Sequence, residues 1–316
     1  MAFRNYSTDW RIKSFAFNLF DRAPAGGLLY YMIQRYVTGT VPRDFDKYRE
    51  TYIKHCYAAA EKFGDVARLK VLEIGAGWDL YGNILNYTYG FNDQTVMDVR
   101  KLARAHSVNE VIEYFQKNPI QGCVRSPSHF VSEGNFEDDL LQKYGIRYLA
   151  PCDATAFQCQ DREFNMIITT SVFEHIPRDV LEKIILNFHR VLSDDGICSH
   201  VVDFSDHYSH SDKKISSFNY CKFPEVEWRR HSPAIHYQNR MRHGEYVDLF
   251  RRCGFGLVRE QCWSAEEEEL RGLPLHEDFA RFDKEDLLKL GSHFIVVKAA
   301  GSGEGDLPRF WHTPAI

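Results

Sequence analysis

The segment VLEIGAGWDLYG, residues 71–82, constrains this chain more than any other. Val71, Leu72 and Ile74 read as a strand, and Gly75 and Gly77 end it with residues that carry no Cβ. Glycines at that spacing accept positive φ and let a ligand approach the backbone closely. A strand that runs into such a turn belongs to an open α/β sheet, whose ligand lies beyond the carboxyl ends of the strands. A phosphate-binding P-loop is excluded, because no Gly-Lys-Ser/Thr follows. A dinucleotide turn needs G-x-G-x-x-G, and its third small position is Leu80 here.

The rest of the chain agrees with a sheet of that kind. Apolar strands are expected at 69–74, 95–99, 146–150, 165–170 and 196–203, with helices near 79–88, 107–117 and 178–192. Such alternation predicts a parallel sheet covered by helices on both faces. GFGLVREQCW and SHFIVVKAA near the end read as two more strands, forming a hairpin-like edge. Residues 1–66 read as helices instead. Ile12, Phe15, Ala16, Leu19 and Phe20 form one stripe at helical spacing, Pro24–Gly27 break that helix, and a third helix closes at Gly64.

Acids stand at the ends of the first three strands. Glu73 precedes the glycines and can meet an ammonium group. Asp98 follows the second strand, about 20 residues on, where a carboxylate accepts ribose hydroxyls. Asp153-Ala154 follows the third strand, within reach of an adenine amino group. Amine, ribose and adenine without phosphate describe an adenosine ligand other than a dinucleotide.

Taken in order, VLEIGAGWDLYG, VMDVR, PCDATAF, FNMIITTSVFEHIP and HRVLSDDGICSHVVDFSDH resemble the successive motifs of class I S-adenosylmethionine-dependent methyltransferases, and HYQNRMR resembles a stretch of bacterial members that modify sugars or other polar small molecules. Ser193-Asp194-Asp195-Gly196 departs from the family's usual Pro-Gly-Gly turn. The resemblance covers about residues 67–300 and implies a Rossmann-like, doubly wound, seven-stranded α/β sheet with an antiparallel last strand, HFIVVKA. It implies S-adenosyl-L-methionine as cofactor, bound by Glu73, Gly75, Ala76, Gly77, Asp98, Asp153, Ala154, Ser171 and Val172. The implied organisation is an N-terminal helical cap or lid at 1–66, the cofactor domain at 67–300 with an acceptor-side insertion at 204–245, and a tail at 301–316.

The implied reaction is methyl transfer, with oxygen on a sugar, glycan or other polar small molecule as the expected acceptor. A hydroxyl acceptor gains from a base, and histidine is the usual one. His207 is the first candidate, with Asp206 beside it, and His175 the second. Glu174, Tyr208, His210, His236, Tyr237, Asn239 and Arg240 are the expected acceptor contacts. Asp206, His207 and His210 could ligate a metal, but none is expected. A nicotinamide oxidoreductase and a non-catalytic cofactor-binding scaffold are the alternatives.

Composition bounds the setting. A net charge of −5 argues against nucleic acid as partner. Eight scattered cysteines without a C-x-x-C pair, and no signal-peptide pattern, point to a cytoplasmic chain. The aromatic N-terminal helices read as a lid, with a membrane-surface foot as the lesser alternative. The oligomeric state is left open.

Overall fold

The computed structural model describes residues 8–37, 41, 42 and 44–299. Three helices come first: α1 (Trp10–Arg22), α2 (Gly26–Tyr36) and α3 (Phe45–Phe63). The sheet domain follows as β1 (Lys70–Ile74), α4 (Tyr81–Thr88), β2 (Asp93–Met97), α5 (Ala105–Lys117), α6 (Phe136–Tyr144), β3 (Ile146–Leu149), β4 (Phe164–Thr170), α7 (Arg178–Val191) and β5 (Leu192–Asp203). A long excursion holding α8 (Glu225–Trp228) leads to α9 (His243–Arg252) and β6 (Phe255–Ser264). Two short helices, α10 (Glu277–Ala280) and α11 (Lys284–Leu288), precede β7 (Lys289–Lys298).

The seven strands lie in the order β3-β2-β1-β4-β5-β7-β6. β1 pairs in parallel with both β2 and β4, so strand order reverses between β1 and β4. β7 inserts antiparallel between β5 and β6, as expected for the last strand. The central strands are buried on both faces, which is why they read as continuous apolar runs instead of alternating ones.

Two apolar layers sandwich the sheet. Tyr52, Cys56, Ala58 and Ala59 of α3 enter the layer formed with α4, α5 and α6. The other layer joins α7 and α9 to the opposite face. A third cluster unites Trp10 and Phe17 of α1 with Tyr208, Phe218, Tyr220 and Trp228 of the excursion after β5. Helix α3 is thus part of the sheet domain's core, whereas α1 packs on the excursion. The tail at 301–316 lies outside the described residues.

The expected stripe on α1 is not the buried face. Ile12, Phe15 and Leu19 are 65%, 72% and 59% exposed, while Trp10, Ser14 and Phe17 face inward. Trp10 lies 5.7 Å from Tyr208 and 6.0 Å from Trp228 by ring centroid, and these distant aromatics decide the orientation. Leu28, Leu29 and Met32 of α2 are exposed as well. No described helix is long and apolar enough to cross a membrane.

Candidate functional site

The glycine turn closes the carboxyl end of β1 at the point of strand reversal. Gly75 and Gly77 adopt φ of +76° and +78°, which only glycine tolerates without strain. A Cβ added at Gly75 would lie 2.7 Å from Val172 Cγ2, so the turn and the end of β4 are fitted to each other. Leu80, where a dinucleotide turn has its third glycine, is also left-handed, with φ +50°, and is fully buried at the start of α4. It trades backbone strain for a packed side chain.

Asp98 follows β2 and lies against this turn. Its side chain is 6% exposed, and the Gly77 backbone N–H donates to it. Oδ2 has no hydrogen-bond partner. Burial raises the carboxyl pKa to about 7, against the lowering effects of the Gly77 N–H and Arg100. A buried carboxylate with one satisfied and one orphaned oxygen is built to accept a donor from outside the chain.

Glu73, near the end of β1, is 2% exposed, and Asn83 of α4 donates to its Oε2 at 2.8 Å, which ties the strand to the start of that helix. Ala76 is buried in the turn and Ala154 beyond β3, whereas Asp153 is exposed. Asp153 Oδ1 accepts from both the N–H and the hydroxyl of Thr155 at 2.8 Å, which holds its carboxyl below the usual range. Ser171 has φ +52° and donates its N–H to Val201 O at 2.8 Å, turning the chain sharply at the end of β4.

Helix α2 roofs the turn. Tyr31 stacks on Trp78 at 4.6 Å between ring centroids, and its hydroxyl reaches His106 Nε2 at 2.6 Å and Ser107 Oγ at 3.2 Å.

Beyond β4 and β5 the chain assembles a histidine pocket. His175 and His207 rings lie 4.9 Å apart, His207 and His210 stack at 5.2 Å, and His236 is 6.2 Å from His207. Burial lowers the pKa of all four, with His236 reaching about 3, so each imidazole is neutral near pH 7. His175 keeps a solvent-exposed edge, yet the protein crowded around its ring still disfavours the imidazolium. Asp203 at the end of β5 places Oδ2 3.7 Å from Nε2 of both His207 and His210. Glu174 is 1% exposed, and desolvation, then the nearby Asp203 charge, pushes its carboxyl well above the usual range. Lys13 of α1 donates to Ser211 Oγ at 2.9 Å over the same pocket. A cavity of about 370 Å³ opens beside Asp203 and His210, lined also by Ser205, Ser209, Lys213 and Trp263.

Several expected acceptor residues serve the framework instead. Asp206 is fully buried, accepts from Tyr208 N–H at 2.8 Å and Asn219 Nδ2 at 3.0 Å, and does not orient His207. Tyr208 is buried and donates its hydroxyl to His231 O at 2.5 Å. Asn239 Nδ2 donates to Phe173 O at 2.8 Å and Ile176 O at 2.9 Å, bracing the turn that carries Glu174. Arg240 is buried on the carbonyls of Tyr220 and Phe223 and on Glu225. Tyr237 contributes its carbonyl, 2.7 Å from His175 Nδ1.

Two residues of the site escaped the sequence analysis. Asp203 was legible as one more acid at a strand end, the signal that marked Asp98. Lys13 reaches the pocket from nearly 200 residues away and had no local signal. Arg242, also unanticipated, is fully buried and binds Phe204 O at 2.9 Å, Tyr220 Oη and Leu287 O at 2.7 Å, and Lys289 O, tying the excursion to β7.

No protein-family model matches the chain, and no curated protein matches it. Among solved structures it is similar to the CurJ carbon methyltransferase, at 14% identity and TM-score 0.47, over 91% of this chain and 68% of that one. It is similar to the Burkholderia thailandensis 1,6-didemethyltoxoflavin-N1-methyltransferase, at 15% identity and TM-score 0.44, over 88% of this chain and 92% of that one. A SAM-dependent methyltransferase of Methanosarcina mazei matches at 14% identity and TM-score 0.43, over 74% of this chain and 93% of that one. These are distant likenesses of shape, and the strand order given above defines the fold without them.

Proposed function

We propose that the chain is an S-adenosylmethionine-dependent methyltransferase acting on a hydroxyl of a polar small molecule such as a sugar or glycan unit, in the cytoplasm. One observation carries this reading: the orphaned Oδ2 of buried Asp98 beneath a two-glycine turn at the strand reversal. A ribose diol supplies two donors to such a carboxylate. The turn's open backbone suits the amino-acid end of the cofactor, and Ala154 with the backbone after β3 suits the adenine. Leu80, whose buried side chain fills the place that a dinucleotide turn keeps small, supports this cofactor over a dinucleotide.

When bound, the cofactor supplies an electrophilic methyl group on sulfur, and the protein's task is placement and dry surroundings. Ser171 and Val172, which follow β4 beside the glycine turn, would line the passage of that methyl group to its acceptor. Neutral imidazoles there support a hydroxyl acceptor, which needs a proton taken as its oxygen attacks. We assign that task to His210, which is 55% exposed and has Asp203 beside it. A base must pass its proton on to solvent, and His207 Nε2 is buried. As the acceptor oxygen would take the methyl group from sulfur, His210 would take its proton and release it to solvent.

Calorimetric titration with S-adenosylhomocysteine tests the cofactor assignment. One site per chain is expected, with no measurable binding of NADH.

A further inference from the structure

The inner wall of the histidine pocket has more unsatisfied donor atoms than a plain acceptor site needs. Glu174, His175 and His207 offer one oxygen and two ring nitrogens that lie within 4.8 Å of one another. His175 Nδ1 is 2.7 Å from Tyr237 O, so Nδ1 carries the proton and Nε2 holds the lone pair. Metal-bound histidines are held in this way, with the second ring N–H on a carbonyl. Glu174 Oε1 accepts from Asp203 N–H at 3.3 Å, leaving Oε2 buried and without a partner. His207 Nε2 is likewise buried and unpartnered. Each such atom costs free energy unless something meets it.

We propose that Glu174, His175 and His207 form the binding site for one divalent transition-metal cation at the end of β4. Two imidazoles and a carboxylate favour Zn²⁺, Fe²⁺ or Co²⁺ over Mg²⁺ or Ca²⁺, which prefer oxygen donors throughout. Asp203 Oδ2, 3.7 Å from His207 Nε2, lies beside the three. The set differs from the Asp206, His207 and His210 group that the sequence offers, because Asp206 is spent inside the excursion. A second group, His243, Glu260 and Cys262, is already closed on itself, with His243 Nε2 2.6 Å from Glu260 Oε2.

Three protein ligands leave positions open for two neighbouring oxygens of a polyol, whose hydroxyl the cation would acidify. That consequence rests on the methyl-transfer reading; the cation site itself does not.

Chelator-stripped full-length protein titrated with Co²⁺ provides the test, read by calorimetry and by the visible ligand-field spectrum. One Co²⁺ per chain is expected. His207→Ala and Glu174→Gln should each weaken it on the order of 100-fold, while exposed His129→Ala leaves it unchanged. S-adenosylhomocysteine affinity, measured on the same variants, should persist and shows that they remain folded. No stoichiometric uptake by the parent, or uptake indifferent to His207→Ala and Glu174→Gln, overturns the site. Uptake of Co²⁺ without binding of S-adenosylhomocysteine would keep the cation site and remove the methyl-transfer reading.

Discussion

His55 Nδ1 of α3 lies 2.7 Å from Ser199 Oγ of β5, deep in the sheet domain. The chain of bonds continues from Ser199 Oγ to His293 Nε2 at 2.8 Å, and His55 Nε2 reaches Thr170 Oγ1 at 3.0 Å. Neighbouring His200 bonds Thr169 Oγ1 at 2.9 Å. Burial lowers the pKa of His55 and His200 to about 3 and that of His293 well below the usual range. All three are neutral in the fold and protonate at about 6.5 when unfolded. Between those values the unfolded chain binds more protons, so stability is lost as pH falls from about 6.5 toward 3. Three such groups cost roughly 4 kcal/mol per pH unit once the unfolded histidines are charged. Urea midpoints should therefore collapse between pH 6.5 and pH 4.5, and His55→Asn should have a shallower slope.

Asp98 has the opposite sign. Its folded pKa of about 7 is raised, so the native state holds the extra proton and this group's contribution falls as pH rises from about 4 through 7. Only the ionised form accepts two ribose hydroxyls. Cofactor affinity should thus climb about tenfold per pH unit below 7 and level off above. In Asp98→Asn, calorimetry should give a weaker and pH-independent affinity, together with a raised melting temperature at pH 8.

Much of the sheet is legible in sequence because its strands are buried on both faces, which gives apolar runs that no solvated loop would have. The Gly75–Gly77 turn and Asp98 are legible for a related reason: the chemistry sits at strand ends, at fixed distances along the chain. Helix α6 escaped notice because Phe136, Leu140 and Tyr144 form a one-residue-wide seam among acids. The excursion after β5 was not legible at the level of roles. Asp203 and Asp206 are three residues apart, one turned into the pocket and one into the framework, where Tyr208 N–H and Asn219 Nδ2 hold it. Long-range partners also chose the inward face of α1, against its own periodicity.

The pocket histidine and the framework acid should separate in experiment. His210→Ala should lower the methylation rate roughly 10²–10⁴-fold with S-adenosylhomocysteine affinity unchanged. Asp206→Ala should instead leave buried donors on Tyr208 and Asn219 unpaired and cost about 1–3 kcal/mol of stability for each. Denaturation of the Asp206 variant and initial rates of the His210 variant, with a verified acceptor, check both.

Helix α2 predicts a kinetic effect. Tyr31→Ala removes the stack on Trp78, worth about 0.5–1.5 kcal/mol beyond burial. S-adenosylhomocysteine should dissociate several-fold faster from this variant, measured by stopped-flow fluorescence, if α2 roofs the cofactor. An unchanged dissociation rate would assign α2 to packing alone.

The most direct measurement is S-adenosylhomocysteine binding to the parent chain and to Asp98→Ala by calorimetry at pH 8. The account predicts one site in the parent and a loss on the order of 2–3 kcal/mol in the variant, the worth of a charge-assisted pair of hydrogen bonds. Equal affinity in the two proteins, or binding of NADH in place of S-adenosylhomocysteine, would contradict it.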